Sequence, residues 1–233
     1  AAKMLRMVNS PLYGTAGPVS DLQQAVTILG FKAIRSIAMS ASIVDLSRQD
    51  KAGFSMRDYW AHGMVCAALC RSIAEHAGLP DPELAFVVGL LKDMGKLVLV
   101  DHAPDELRAI VAIAREHGLS FGQAAREVLE TDDAELCAWL CSNWKLPQEI
   151  VDAVAQQYEL ILKPDMKLVA TMQCAEYLCA VKRIRVSGDC HEPIANRVAT
   201  KVLGLDEDDL RTIIAAADEE SAKAKELLAL MAA

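Results

Sequence analysis

No apolar run in these 233 residues is long enough to cross a bilayer; the best candidate, Leu84 to Val100, is broken by Lys92, Asp93 and Lys96. There is no Cys-x-x-Cys pair, no glycine-rich phosphate loop and no nucleophile elbow around Ser10, Ser42 or Ser120. The usual signatures of dithiol redox, P-loop and serine-hydrolase chemistry are therefore missing. A basic stripe is missing too. Lys and Arg number 24 against 32 Asp and Glu, the net charge is −8, and the cations are scattered, so no nucleic-acid partner is expected. An acidic surface suits a chain that meets other proteins or small ligands. Seven cysteines are an odd count without the spacing of a secreted scaffold, which predicts reduced thiols in a cytoplasm.

Alternation of β-branched residues is scarce, and what remains is helical periodicity almost throughout. Ala1 to Val8 reads as the tail of a helix already under way rather than a leader, so the natural protein is expected to extend upstream. Ser20 caps a helix over Asp21 to Leu29 with Gly30 as its stop. Phe31 to Leu46 follows, with Ile34, Ile37, Ala38, Ala41 and Val44 on one stripe. The polar stretch Ser47 to Gly53 marks a lobe boundary. Ser55 caps a long helix to Ala77, and Asp81-Pro82-Glu83 opens another that runs to Lys92-Asp93. Gly95 is expected to break that run before Leu97 to Val100. Further helices are predicted over Pro104–Glu116, Ser120–Leu129, Asp132–Asn143, Pro147–Leu160, Asp165–Val181, Pro193–Val202 and Asp206–Leu230, with a loop at Arg185–His191. The fold class is all-α.

Several separated motifs carry a family resemblance. Leu90-Leu91-Lys92-Asp93-Met94-Gly95-Lys96 resembles the metal-binding HD signature of phosphohydrolases, with Lys92 in place of its histidine. Met7-Val8-Asn9-Ser10-Pro11-Leu12-Tyr13-Gly14, Val26 to Arg35, Tyr59-Trp60-Ala61-His62, Asp132 to Glu135 and Trp144-Lys145-Leu146-Pro147 follow in order. Each is weak alone, but together they are similar to the HDOD domain, a bacterial signalling module related to HD phosphohydrolases and HD-GYP phosphodiesterases. The resemblance implies a multi-helix HD-like bundle over residues 1–185, with a small lobe at 1–50 and an HD-like lobe at 51–185. Residues 186–233 would form a C-terminal helical extension packing on the HD-like lobe.

In HD hydrolases, imidazoles and carboxylates converge on metal ions that activate water against a phosphoester. The resemblance maps those positions onto His62, Lys92, Asp93, Asp133, Gln157, Tyr158 and Glu176. His62 and Asp93 keep the pattern. Lys92 and Asp133 stand where histidines are expected, Gln157-Tyr158 replaces a His-His pair, and Glu176 a late Asp. Two ligands rarely hold a catalytic ion, and an ammonium repels one. The expectation is a catalytically silent site without metal or cofactor, in which Lys92 takes the metal's place and neutralises Asp93, Asp133 and Glu176.

Cys66 and Cys70 share a helix face with His62, as Cys137 and Cys141 do with Asp133. Four facing thiols would suit zinc, although small buried apolar roles are the expected ones. His76, His102, His117 and His191 sit near helix ends or in polar loops, with surface or capping roles expected. Trp60, Trp139 and Trp144 have spacings that suit core packing. The function implied is a non-catalytic regulatory module, such as the output part of a response regulator, binding a protein partner or small ligand. The Ala- and Leu-rich C-terminal helix permits a homodimer. The rivals are a metal-dependent phosphohydrolase with atypical ligands and a nucleotide-sensing pocket without turnover.

Overall fold

The computed structural model describes residues 2–15, 17–43, 50, 54–184 and 196–232, and all helices and segments below lie in these. The expected boundary at Ser47–Gly53 (Asp50 apart), the loop at Arg185–His191 and the start of the Pro193 helix fall outside the described residues. The helices are α1 (Ala2–Val8), α2 (Leu22–Ile43), α3 (Met56–His76), α4 (Pro82–Leu91), α5 (Met94–His102) and α6 (Pro104–His117). They continue as α7 (Phe121–Leu129), α8 (Asp133–Asn143), α9 (Gln148–Ala155), α10 (Lys167–Val181), α11 (Arg197–Leu203) and α12 (Glu207–Ala232). The fold is all-α, and among the described residues no helix is long and apolar enough to cross a membrane.

Start signals in the sequence act where they are written. The Ser55 hydroxyl accepts from the Asp58 amide and starts α3, and Asp81 caps α4 through the Leu84 amide with Pro82 in the first turn. Ser120 and Gln123 form a reciprocal capping box on α7. Gly30 interrupts the helical path of α2, at φ 82° and ψ 163°, where an L side chain would be strained. Ile34 and Ile37 are buried on its far side and Ala38 half-buried, while the side chains of Ala41 and Val44 lie outside the described residues.

The bundle is organised around α3. Every residue from His62 to Ala74 is buried, so this helix is covered on all faces rather than amphipathic. It packs on α4, α10 and α12, and α12 reaches back to α1. α2 lies against α4, α5 against α6 and α8, and α8 against α9. One continuous apolar cluster runs from Met7 and Val8 through α3 and α4 to Ala224 and Leu227.

Two expectations fail here. Gly95 does not break a helix; it lies inside α5, which starts at Met94. Its missing side chain serves an approach instead: a Cβ there would stand 2.0 Å from the Asp133 carbonyl oxygen. α9 ends at Ala155 rather than Leu160. The Gln157 and Glu159 carbonyls are taken by the Gln173 amide at 3.2 and 2.7 Å, so tertiary bonds displace the helical ladder.

Candidate charge cluster at the α4–α5 junction

Lys92 and Asp93 form the corner between α4 and α5, and α3, α8 and α10 bring the other charges to it. The Lys92 ammonium donates to Asp93 Oδ2 at 2.6 Å and lies 2.7 Å from Glu176 Oε2. Asp93 Oδ1 accepts from Lys96 Nζ at 2.7 Å, one turn into α5. Lys96 in turn stands 3.8 Å from Asp133 Oδ2 and 5.0 Å from the centre of the Phe121 ring. His62 closes the ring: its Nε2 is 3.1 Å from Glu176 and 3.5 Å from Asp93, and its Nδ1 is 3.0 Å from the Ile184 carbonyl.

All seven candidate positions join one network. Tyr158 donates to both Asp133 oxygens at 3.1 Å, and the Gln157 amide donates to the Lys92 carbonyl at 3.1 Å. The Gly95–Asp133 approach makes this possible, since it brings α8 close enough for Lys96 to face Asp133. The expected pairing needs one correction. Lys92 neutralises Asp93 and Glu176, whereas the cation facing Asp133 is Lys96, which the motif reading did not assign a role. Its signal in the sequence is a second lysine, three residues after Asp93, inside an otherwise apolar run.

Burial and pairing oppose each other at every member. Burial disfavours the Lys92 ammonium, yet Asp93 and Glu176 hold its pKa well above the ordinary lysine value. Asp93 is penalised by burial and still held far below the carboxylate range by Lys92, Lys96 and His62. Glu176, whose side chain is 30% exposed, is likewise lowered by Lys92 and His62 against its desolvation. His62 loses hydration, but the Glu176 carboxylate and the hydrogen bond to it raise the imidazole to about 9. Its two ring nitrogens face a carbonyl and carboxylates, acceptors that both call for N–H, which agrees with an imidazolium. Asp133 is the exception. Burial pushes its carboxyl up to about 6, more than Lys96 pulls it down. Asp93 sits at the start of α5 but makes no capping bond; it is a salt-bridged acid.

The metal an HD-type site implies does not fit these residues. Among the described residues His62, Cys66 and Glu176 have donor atoms within 4.8 Å of one another. The space beside them already holds the Lys92 ammonium in contact with Glu176 and Asp93, a charge that repels a metal cation. The four thiols considered for zinc do not converge. Cys66 meets Cys70 and Cys179, the latter from α10, while Cys137 pairs with Cys141 and donates to the Leu91 carbonyl at 3.0 Å.

The remaining candidates divide. His76, His102 and His117 each end a helix, and His191 lies outside the described residues. Trp60 is buried, but Trp139 and Trp144 are 62% and 39% exposed, which corrects the core role expected for them. α8 turns its Cys137–Cys141 face inward, which leaves Trp139 on the outside, while Trp144 stands at the C-cap just past the end of the helix.

An all-helical bundle with a charge cluster at the HD position defines an HD-related helical domain. The HDOD domain family matches residues 1–160, and the chain belongs to it. The chain is similar to a crystal structure of an HDOD domain protein with unknown function from Geobacter sulfurreducens, at 27% identity and TM-score 0.83, covering 97% of this chain and 81% of that one. A candidate phosphohydrolase from Shewanella amazonensis SB2B shares the fold at 23% identity and TM-score 0.76, over 97% and 81% of the two chains. The MmoQ response regulator of Methylococcus capsulatus str. Bath is 25% identical with TM-score 0.56, over 91% and 83%. An uncharacterized protein of Treponema pallidum (strain Nichols) is 22% identical over 164 residues, 70% of this chain, which spans only 31% of that relative's length.

Proposed function

We propose that this chain is a catalytically silent regulatory module of the HDOD type, which acts by binding a protein partner or small ligand. The observation that carries the reading is the Lys92 ammonium seated between Asp93 and Glu176 at 2.6 and 2.7 Å. A hydrolase of this architecture needs a Lewis acid and an activated water where that ammonium stands. The carboxylates are already matched by Lys92, Lys96 and His62, so the cluster is neutralised from within. Similarity to a response regulator supports a place in signalling. A nucleotide-sensing role for Lys92 is disfavoured, because its side chain is 5% exposed and both its carboxylate partners are engaged.

The test is metal content together with turnover. Protein purified without chelator or metal-affinity resin is expected to hold well below about one ion of Mn, Fe or Zn per chain, the smallest occupancy of such a site. It is also expected to leave phosphodiesters and cyclic dinucleotides intact when those ions are added. Stoichiometric metal with metal-dependent turnover lost in Asp93→Asn would replace the regulatory reading with the hydrolase one. The His62–Cys66–Glu176 grouping is the arrangement that would then have to hold the ion.

A further inference from the structure

Away from the charge cluster, α3, α10, α11 and α12 enclose a cavity of about 200 Å³. Its wall is mainly apolar, formed by Ile73, Leu178, Leu205, Leu210 and Ile213, with Ile214 at a half-open rim. Five residues with polar side chains, Gln173, Tyr177, Asn196, Arg197 and Thr200, also line it, and of these Arg197 is the one that carries a charge. An engineered apolar cavity of about 150 Å³ takes up benzene, so this one has room for a body of about eight non-hydrogen atoms. A concave apolar wall with a few convergent polar groups is the usual form of a small-molecule site.

The polar groups decide the ligand's charge. Asn196 and Gln173 are spent on each other, through a 2.8 Å amide–carbonyl bond, and Gln173 further holds the Gln157 and Glu159 carbonyls. Thr200 donates to the Arg197 carbonyl. The acids at the nearby start of α12 are also engaged. Asp206 and Asp209 accept from backbone amides of that turn, and Glu207 and Asp208 pair with Arg211. Arg197 alone is a charged group on the lining without a carboxylate partner among the described residues.

We infer that this cavity binds a small organic carboxylate, its apolar body against Ile73, Leu178 and Ile213 and its carboxylate on the Arg197 guanidinium. A planar fork of N–H donors matches a carboxylate better than a point cation would. The site shares α10 with Glu176, so an occupant would lean on the helix that carries one end of the charge cluster. The inference concerns a separate site and does not require the cluster to be silent.

Benzoate and its neutral isostere benzamide are the probes, titrated into the full chain by calorimetry and amide NMR. Benzoate is expected to bind with a Kd of about 1 mM or tighter, an ordinary affinity for a ligand of this size. It should shift resonances around Tyr177 and Ile213. Arg197→Met should weaken benzoate about tenfold, the worth of one charge-assisted hydrogen bond, and leave benzamide unchanged. Ile214→Trp, at the exposed rim and checked for an unchanged helical circular-dichroism spectrum, should block both. No saturation at about 10 mM, well above that Kd, overturns the site. Equal binding of both probes with no Arg197 effect overturns the carboxylate assignment. Neither variant touches Lys92, so failure here leaves the reading of the charge cluster standing, and metal in that cluster would leave this titration unaffected.

Discussion

Lys92→Met keeps the aliphatic stem and deletes one charge, so it isolates the ammonium with little cavity left behind. Breaking a buried ion pair costs about 3–5 kcal/mol, because the partner charge stays buried. The structure puts this case at the low end. Asp93 keeps Lys96 at 2.7 Å, and Glu176 keeps His62 at 3.1 Å and is itself 30% open to solvent. The expected loss is therefore about 3 kcal/mol, a drop in Tm of roughly 6–12 °C for a chain of this size. Lys96→Met should cost more, nearer 5 kcal/mol, because wholly buried Asp133 loses the cation that faces it, while Asp93 keeps only Lys92 and His62. Urea unfolding at pH 7, followed by tryptophan fluorescence, measures both, with exposed Lys225→Met as the control expected within about 0.5 kcal/mol of the parent. If Lys92→Met unfolds with its parent, or loses more than Lys96→Met, the ammonium is not the neutralising charge described.

The remaining expectations concern pH and packing. His62 rises from the ordinary 6.5 to about 9, so its contribution is fully present below pH 6.5 and lost as pH passes 9. That is about 3 kcal/mol of stability falling across the window, and His62→Gln should flatten the fall in urea midpoints. An unchanged slope would mean the imidazole is neutral. Asp133 rises from 3.8 to about 6, so folding favours its protonated form and stability should decline between pH 4 and pH 6. The decline, about 3 kcal/mol, should vanish in Asp133→Asn when the two proteins are compared point by point. Below pH 4 the sign reverses, because the unfolded chain takes up protons that Asp93 and Glu176, held low in the fold, do not accept. Gly95→Ala places a methyl against the Asp133 carbonyl and should cost about 3 kcal/mol by forcing α5 from α8; a Tm within about 2 °C of the parent would show that the two helices are not in contact.

Much of this fold could be read from the sequence because its start signals are local. Ser55, Asp81, Ser120 and Asp132 are followed by amides they cap, whatever packs on the helix. Features set by contacts between distant segments were harder to read. The end of α9 depends on Gln173, 16 residues on from Gln157, the exposure of Trp139 on which face α8 buries, and that of Trp144 on where α8 ends. Gly95 reads as a breaker because a sequence does not display the neighbouring helix that makes its small size necessary. The motif placed seven residues that the structure joins, from His62 to Glu176, 114 positions apart. The charge reading also paired Lys92 with Asp93 and Glu176, and missed only that Lys96 is the cation facing Asp133. A spare lysine in an apolar run is ambiguous until a carboxylate such as Asp133 is seen beside it.

The position of Lys96 between Asp93 and Asp133 limits what any single substitution in the cluster can achieve. A single Lys92→His change would offer a second imidazole near His62 and Asp93, yet Lys96 would still hold Asp93 at 2.7 Å. Removing Lys96 first would leave buried Asp133 without its facing cation, and placing a histidine at Asp133 first would leave Lys96 without one of its counter-charges. Each of these single changes leaves a buried charge without one of its partners. On the proposed reading of a silent site, making room for a metal would require Lys92, Lys96 and Asp133 to change together, because the core's charge balance opposes changing any one of them alone.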